Sequence, residues 1–198
     1  MNDRESDERV MARLAGGDQQ ALDELMSRWQ GPLWCFIDRM CAGAGATDDV
    51  YQETWMRVYV YRKRYRPRLP FRPYLFAVAM NCCRKALRRA WQPRLAGAGL
   101  EHLPHPADPQ PPPAAGLIAD EQHRMLHRAI QRLPEMQRGV VLLYLLLGPD
   151  YGQIARVLGR SRGTVRSHMH HALNALRASL SWIARPTEGE VDHERHLH

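Results

Sequence analysis

Residues 159–180 read GRSRGTVRSHMHHALNALRASL, with four arginines, three histidines and no carboxylate. The gap in negative charge is longer still, since no Asp or Glu occurs between Asp150 and Glu188. Solvated helical surfaces normally interleave both signs. A segment cleared of carboxylates is therefore suited to a polyanion, whose counterions it displaces. Its spacing fits a helix-turn-helix over 151–170. Ala155 stands where two helices approach closely, Gly159 permits the turn, and Val165 plugs the pair from the second helix. Such a second helix enters the major groove by its N-terminal end, with phosphates on either side. Arginine there bridges guanine edges, and Ser or Thr reaches bases or phosphates. The candidate DNA-binding residues are Ser161, Arg162, Thr164, Arg166, Ser167, His168 and His171.

A second basic region lies upstream. Residues 51–95 hold twelve Lys and Arg against the single Glu53, whereas residues 1–50 hold five Arg against ten Asp and Glu. Within the basic region, YVYRKRYRPRLPF at 59–71 interleaves aromatic rings with cations. That mixture suits single-stranded nucleic acid, where bases stack on rings and cations follow the backbone.

The elements that must position these residues are helical. Apolar residues recur at helical spacing almost throughout, and strand patterns are nearly absent. Leu14, Leu22, Leu25, Met26, Trp29, Phe36, Ile37 and Met40 line one or more helices, with Asp18 as an N-cap and Gly31-Pro32 as a break or kink. Further helices are expected over 48–62 and 71–91, with a loop at 42–47 between the first of them and what precedes it. Residues 93–116 contain seven prolines and three glycines and read as a semi-rigid linker. Beyond it Pro134 starts a helix, Gly148 closes it, Asp150 and Ser161 cap the next two, and Gly159 separates them. The fold class is all-α, with two small helical domains joined by a Pro-rich linker. Their expected bounds are 1–92, a linker at 93–117, a helix-turn-helix domain at 118–185 and a tail at 186–198.

These motifs carry a family resemblance. LPEMQRGVVLLYLLLGPDYGQIARVLGRSRGTVRSHMHHALNAL at 133–176 resembles the C-terminal domain of bacterial RNA polymerase sigma factors of the extracytoplasmic-function (ECF) group. Regulators of the LuxR type share much of that frame, and TVRSH leans toward them. The N-terminal half favours the sigma factors. DDVYQETWMRVY at 48–59 resembles their polymerase-docking segment, and FRPYLFAVAMNCCRKALRR at 71–89 resembles the helix that reads the −10 promoter element. The resemblance implies polymerase-binding roles for Asp49, Gln52, Glu53 and Trp55. It implies −10 contacts by Arg66, Phe71, Asn81, Arg84 and Arg88, with the loop at 63–71 holding an unstacked base, and −35 contacts by the helix-turn-helix. Tyr59 and Tyr61 are assigned to the core. Implied partners are the clamp and flap of core RNA polymerase, promoter DNA and an anti-sigma factor. Tyr51, Met80, Lys85, His168, His171 and Leu173 depart from the usual pattern, which leaves the promoter sequence open.

Other classes receive less from the residues. No Ser/His/Asp, phosphate-loop or paired-carboxylate constellation appears, so neither enzymatic activity nor a cofactor is expected. Cys35, Cys41, Cys82 and Cys83 form no C-x-x-C pair and read as small apolar residues of a reducing compartment. The histidines of DHERHLH at 192–198 read as a solvated tail, with weak metal binding as the other reading. The polar, acidic start and the lack of a long apolar run point to the cytoplasm and to no membrane insertion. The competing functional reading is a stand-alone LuxR-type regulator.

Overall fold

A computed structural model describes residues 5–41, 45–66, 70–91 and 117–180. The linker at 93–116 and the tail at 186–198 lie outside the described residues, as do 42–44 and 67–69 of the two expected loops.

The N-terminal unit comprises α1 (Asp7–Ala15), α2 (Gln20–Met40), α3 (Thr47–Val60), a 3-10 turn (Arg62–Arg64) and α4 (Phe71–Trp91). Ser6 opens α1 by accepting a hydrogen bond from the Arg9 N–H at 3.4 Å, with Asp7 and Glu8 in the first turn. Leu14, Leu25, Leu33, Phe36, Phe71, Phe76 and Met80 are among its fully buried side chains. Phe36 and Phe76 meet edge to face at 5.1 Å, and Trp29 closes on Phe76 at 6.0 Å.

Pro32 does not break the chain. It lies inside α2, which runs unbroken to Met40. Pro32 faces solvent while Leu33, Phe36, Ile37 and Met40 are buried. The pyrrolidine ring therefore displaces none of the packed side chains, and the apolar stripe holds the helix on course. Asp18 accepts from Gln20 N–H at 3.0 Å, one residue ahead of the formal cap.

The C-terminal unit comprises α5 (Leu117–Gln131), α6 (Glu135–Leu147), α7 (Tyr151–Leu158) and α8 (Arg162–Leu180). Pro134 sits at the N-cap of α6. The Asp150 carboxylate accepts from the Gly152 and Gln153 N–H groups at 2.8 and 3.1 Å and opens α7. Those bonds hold its carboxyl below the usual carboxylate range, the one from Gln153 contributing most. Gly159 ends α7 at φ +63°, a left-handed conformation that costs glycine nothing. Ser161 Oγ accepts from the Thr164 N–H at 3.1 Å and opens α8.

The two units pack on each other. α4 lies against α6 and α7, and α2 lies against α5 and α6, so one apolar core runs through both.

Candidate nucleic-acid interface

In the C-terminal unit, α7 and α8 form the expected helix-turn-helix. Ala155 and Val165 are buried between the helices, and Gly159 makes the turn. Val165, Met169, Ala172 and Leu176 anchor α8 inward. Its outer face then presents Arg162, Arg166, Ser167, His170 and His171 to solvent, with Thr164 and His168 half-buried. Ser161 and Thr164 share a hydroxyl contact of 2.9 Å at the helix start, so both are drawn into the cap. Arg166 lies over the Tyr151 ring at 5.9 Å, which steadies a long side chain beside the groove-facing end.

An open groove at the turn is lined by Gly152, Arg156, Gly159, Arg160, Ser161 and Arg162. Arg156 and Arg160 are exposed and were not singled out as contact residues. The run without carboxylates was the signal for them, since it begins before the second helix.

In the N-terminal unit, Asn81, Arg84, Lys85, Arg88 and Arg89 line a second groove along α4. Asn81, Arg88 and Arg66 are exposed. Arg84 is partly covered, its side chain 17% exposed. Phe71 differs from expectation. It is fully buried at the start of α4, packed against Tyr65 and Tyr74 at 6.2 Å each. Its backbone N–H donates to Glu8 Oε1 at 2.9 Å, so α1 caps α4 from a distance. That bond is the main reason the Glu8 carboxyl sits below its ordinary value. Phe71 and Tyr65 therefore pack inside the N-terminal unit, with their rings withdrawn from solvent. The aromatic exposed in this stretch is Tyr61, assigned above to the core, with Arg64 over its ring at 5.3 Å. Tyr59 is half-buried and carries Arg62 at 4.0 Å.

Helix α3, where polymerase docking is expected, shows a similar division. Asp49 and Gln52 are exposed, and Met56 at 65% and Val60 at 59% continue the same face. Trp55 is buried, 4% exposed, with its ring edge-on to Tyr51 at 6.4 Å. It supports the helix from inside and offers no surface to a partner. Glu53 turns inward along the surface, accepting from Arg57 at 2.7 Å and from Lys85 at 3.0 Å. The Lys85 bond, then the Arg57 pair, hold its carboxyl below the usual range. Lys85 thus clips α4 to α3.

Among the described residues no cluster of three or more His, Cys, Asp or Glu is placed to hold a metal. No described helix is long and apolar enough to cross a membrane.

Comparison with known proteins joins the two units. Residues 25–92 match Sigma-70 region 2, and residues 123–176 match Sigma-70, region 4. The RNA polymerase sigma factor CarQ of Myxococcus xanthus is 30% identical over 170 residues, covering 86% of this chain and 95% of that protein. The RNA polymerase sigma-H factor of Pseudomonas aeruginosa is 28% identical over 187 residues, 91% of this chain and 97% of its own length. The ECF RNA polymerase sigma-E factor of Escherichia coli K12 is 25% identical over 189 residues, 89% of this chain and 95% of that one. Among solved structures, CnrH in complex with the cytosolic domain of CnrY matches with a TM-score of 0.65 at 22% identity, over 90% of this chain and 99% of that one. Matching both regions and similar to these sigma factors over most of its length, the chain belongs to the ECF group of sigma-70-type RNA polymerase sigma factors.

Proposed function

We propose that this protein docks on core RNA polymerase and directs it to a defined set of promoters. The observation that carries the reading is the coexistence in one chain of two cationic surfaces of different character. The helix-turn-helix of α7 and α8 is shaped for duplex, and it reads the −35 element through Arg162, Arg166, Ser167, His168 and His171. The groove along α4 is lined by Asn81, Arg84, Arg88 and Arg89, with Arg66 and Tyr61 exposed on the segment before it. Rings beside guanidinium groups suit the separated strand of the −10 element.

Polymerase docking falls to the outer face of α3, where Asp49 and Gln52 supply polarity and Met56 supplies apolar area. Charge at such a rim governs orientation and encounter rate more than affinity. Residues 1–92 form the docking and −10 domain, 93–117 the spacer, 118–185 the −35 domain and 186–198 a tail. The protein acts in the cytoplasm as a non-catalytic subunit, with an anti-sigma factor masking its surfaces. A stand-alone regulator would need the helix-turn-helix alone and leaves region 2 without a purpose.

Reconstitution tests the reading. Core polymerase supplied with this chain should give run-off transcripts from a subset of genomic templates, and the chain alone should barely retard the same duplexes. Tight duplex binding without polymerase, together with failure to associate with core enzyme, would overturn it.

A further inference from the structure

The outer face of α8 carries a chemistry that its arginines do not account for. At about 100° per residue, the buried stripe of Val165, Met169, Ala172 and Leu176 leaves His170 and His171 on the two sides of the opposite face. Both residues are exposed, and their rings stand edge-on at 5.8 Å. His170 lies one turn beyond Arg166 and His171 one turn beyond Ser167, so the pair prolongs the stripe begun by those residues. His168 is half-buried at its border. His170 was not among the residues singled out from the sequence.

An imidazole ordinarily titrates near pH 6.5, so close to neutrality its charge is set by what stands beside it. α8 itself offers no negative charge, its other ionisable groups being Arg162, Arg166, His168 and Arg177. Three helices pack against it, α5, α6 and α7. On α6, Glu135 accepts from Arg84 at 3.2 Å, Arg138 donates to the Met40 carbonyl at 3.0 Å, and Tyr144 packs against Tyr151. On α7, Tyr151 lies under Arg166 and Arg156 is exposed, while the capping Asp150 is taken up by the Gly152 and Gln153 N–H groups. α5 carries Asp120, Glu121, His123, Arg124, His127 and Arg128, and its His127 stands 4.0 Å from Asp38 of α2. Among the described residues no imidazole of α8 has a carboxylate partner.

A DNA phosphate would supply the missing charge. Each phosphate met by a cation releases counterions and strengthens binding, and an imidazole becomes such a cation by taking a proton. We propose that this chain binds its −35 duplex together with protons, His170 and His171 each accepting one as they meet neighbouring phosphates, so that duplex affinity rises as the pH falls. The proposal rests on the reading of α8 as the duplex-facing helix. Its sign follows from mass action, since binding that takes up protons gains from a higher proton concentration wherever the free imidazoles are neutral. An arginine contact is charged throughout that range, whereas the histidine pair lets one surface tighten or slacken with acidity.

The test is fluorescence anisotropy of a short labelled duplex of random sequence with the full chain, over a series of salt concentrations at pH 6 and pH 8. From pH 8 to pH 6 affinity should rise roughly tenfold, as uptake of about half a proton per pH unit gives. The slope of log affinity against log salt should steepen by about 1 to 2, at roughly 0.9 per added phosphate contact. His170→Gln with His171→Gln keeps two polar side chains and removes the titration, so it should lose most of both changes. His170→Arg with His171→Arg fixes the charge. It should bind at pH 8 at least as tightly as wild type does at pH 6, with little further gain on acidification, and misfolding cannot produce that result. Arg166→Ala should weaken binding severalfold at both pH values and keep the pH response. An undiminished pH response in the Gln double variant, or a salt slope equal at the two pH values, overturns the proton linkage. Arg166→Ala binding as tightly as wild type removes α8 from the duplex and the linkage with it. A weakened Arg166→Ala beside an unaltered Gln double variant removes the linkage alone and leaves the reading of α8 in place.

Discussion

Arg166 is exposed on the outer face of α8, steadied by the Tyr151 ring. Its replacement by Ala should weaken −35 recognition in the assembled polymerase by about 1–3 kcal/mol, or roughly fivefold to 150-fold. Competition for core enzyme should be unchanged, and equal loss in both assays would contradict the division of labour. Met56 offers the complementary test. At 65% exposure it contributes little to the fold, so Met56→Asp should leave the melting temperature nearly unchanged. Affinity for core polymerase should fall about tenfold, as expected for an apolar contact near the middle of an interface, and an undiminished competition curve would exclude α3's outer face. Glu53, by contrast, is a poor probe, because Lys85 and Arg57 hold it and any change there disturbs the α3–α4 clip. Residue roles in the helix-turn-helix were legible because the code is local. Cap, turn glycine and plug lie within about three helical turns of one another. Phe71 was misread for the opposite reason. Its burial depends on α1, whose Glu8 reaches it across 63 positions of sequence, and no local alternation of aromatics with arginines encodes that.

At the scale of elements, periodicity located the helices well, and α4 runs over 71–91 as its spacing indicates. Pro32 was the instructive exception, because the penalty of an internal proline depends on which face it occupies. Capping between elements is where stability is most exposed to pH. The Glu8 carboxyl is held low by the bond from the Phe71 N–H. A group with a lowered folded value stabilises above its unfolded titration point and loses that contribution as pH falls through the folded value. Glu8→Gln should therefore cost about 1 kcal/mol near neutrality, in the range of a lost cap. The deficit relative to wild type should shrink as the pH is taken below the ordinary carboxylate range. Urea titrations of both proteins at neutral and acid pH measure this, and a constant deficit at all pH values would assign the loss to packing rather than charge.

For the whole molecule, composition and motifs indicated two units, and the family comparison agrees with both. How they meet was not legible. Arg84 and Glu135 lie 51 positions apart with the proline-rich segment between, and only the unusual Met80 hinted at the contact. A core shared by both units has a thermodynamic signature. The wild-type chain should lose the circular dichroism of its helices and the fluorescence of Trp29 and Trp55 in one urea transition. Two separate transitions in the wild type would speak against a common core.

The glycine at 139, where α6 meets Met80 of α4, bears on heredity. Sigma factors of this architecture look modular, as though a −35 reader could be exchanged for a relative's by splicing at the spacer. Here a transplanted α6 bearing a larger side chain at that place would push the flexible end of Met80 aside, and the seam between the units would have to repack. Exchange of the reader alone would thus disturb the shared core together with promoter choice, so the two halves of this protein are expected to evolve as a matched pair.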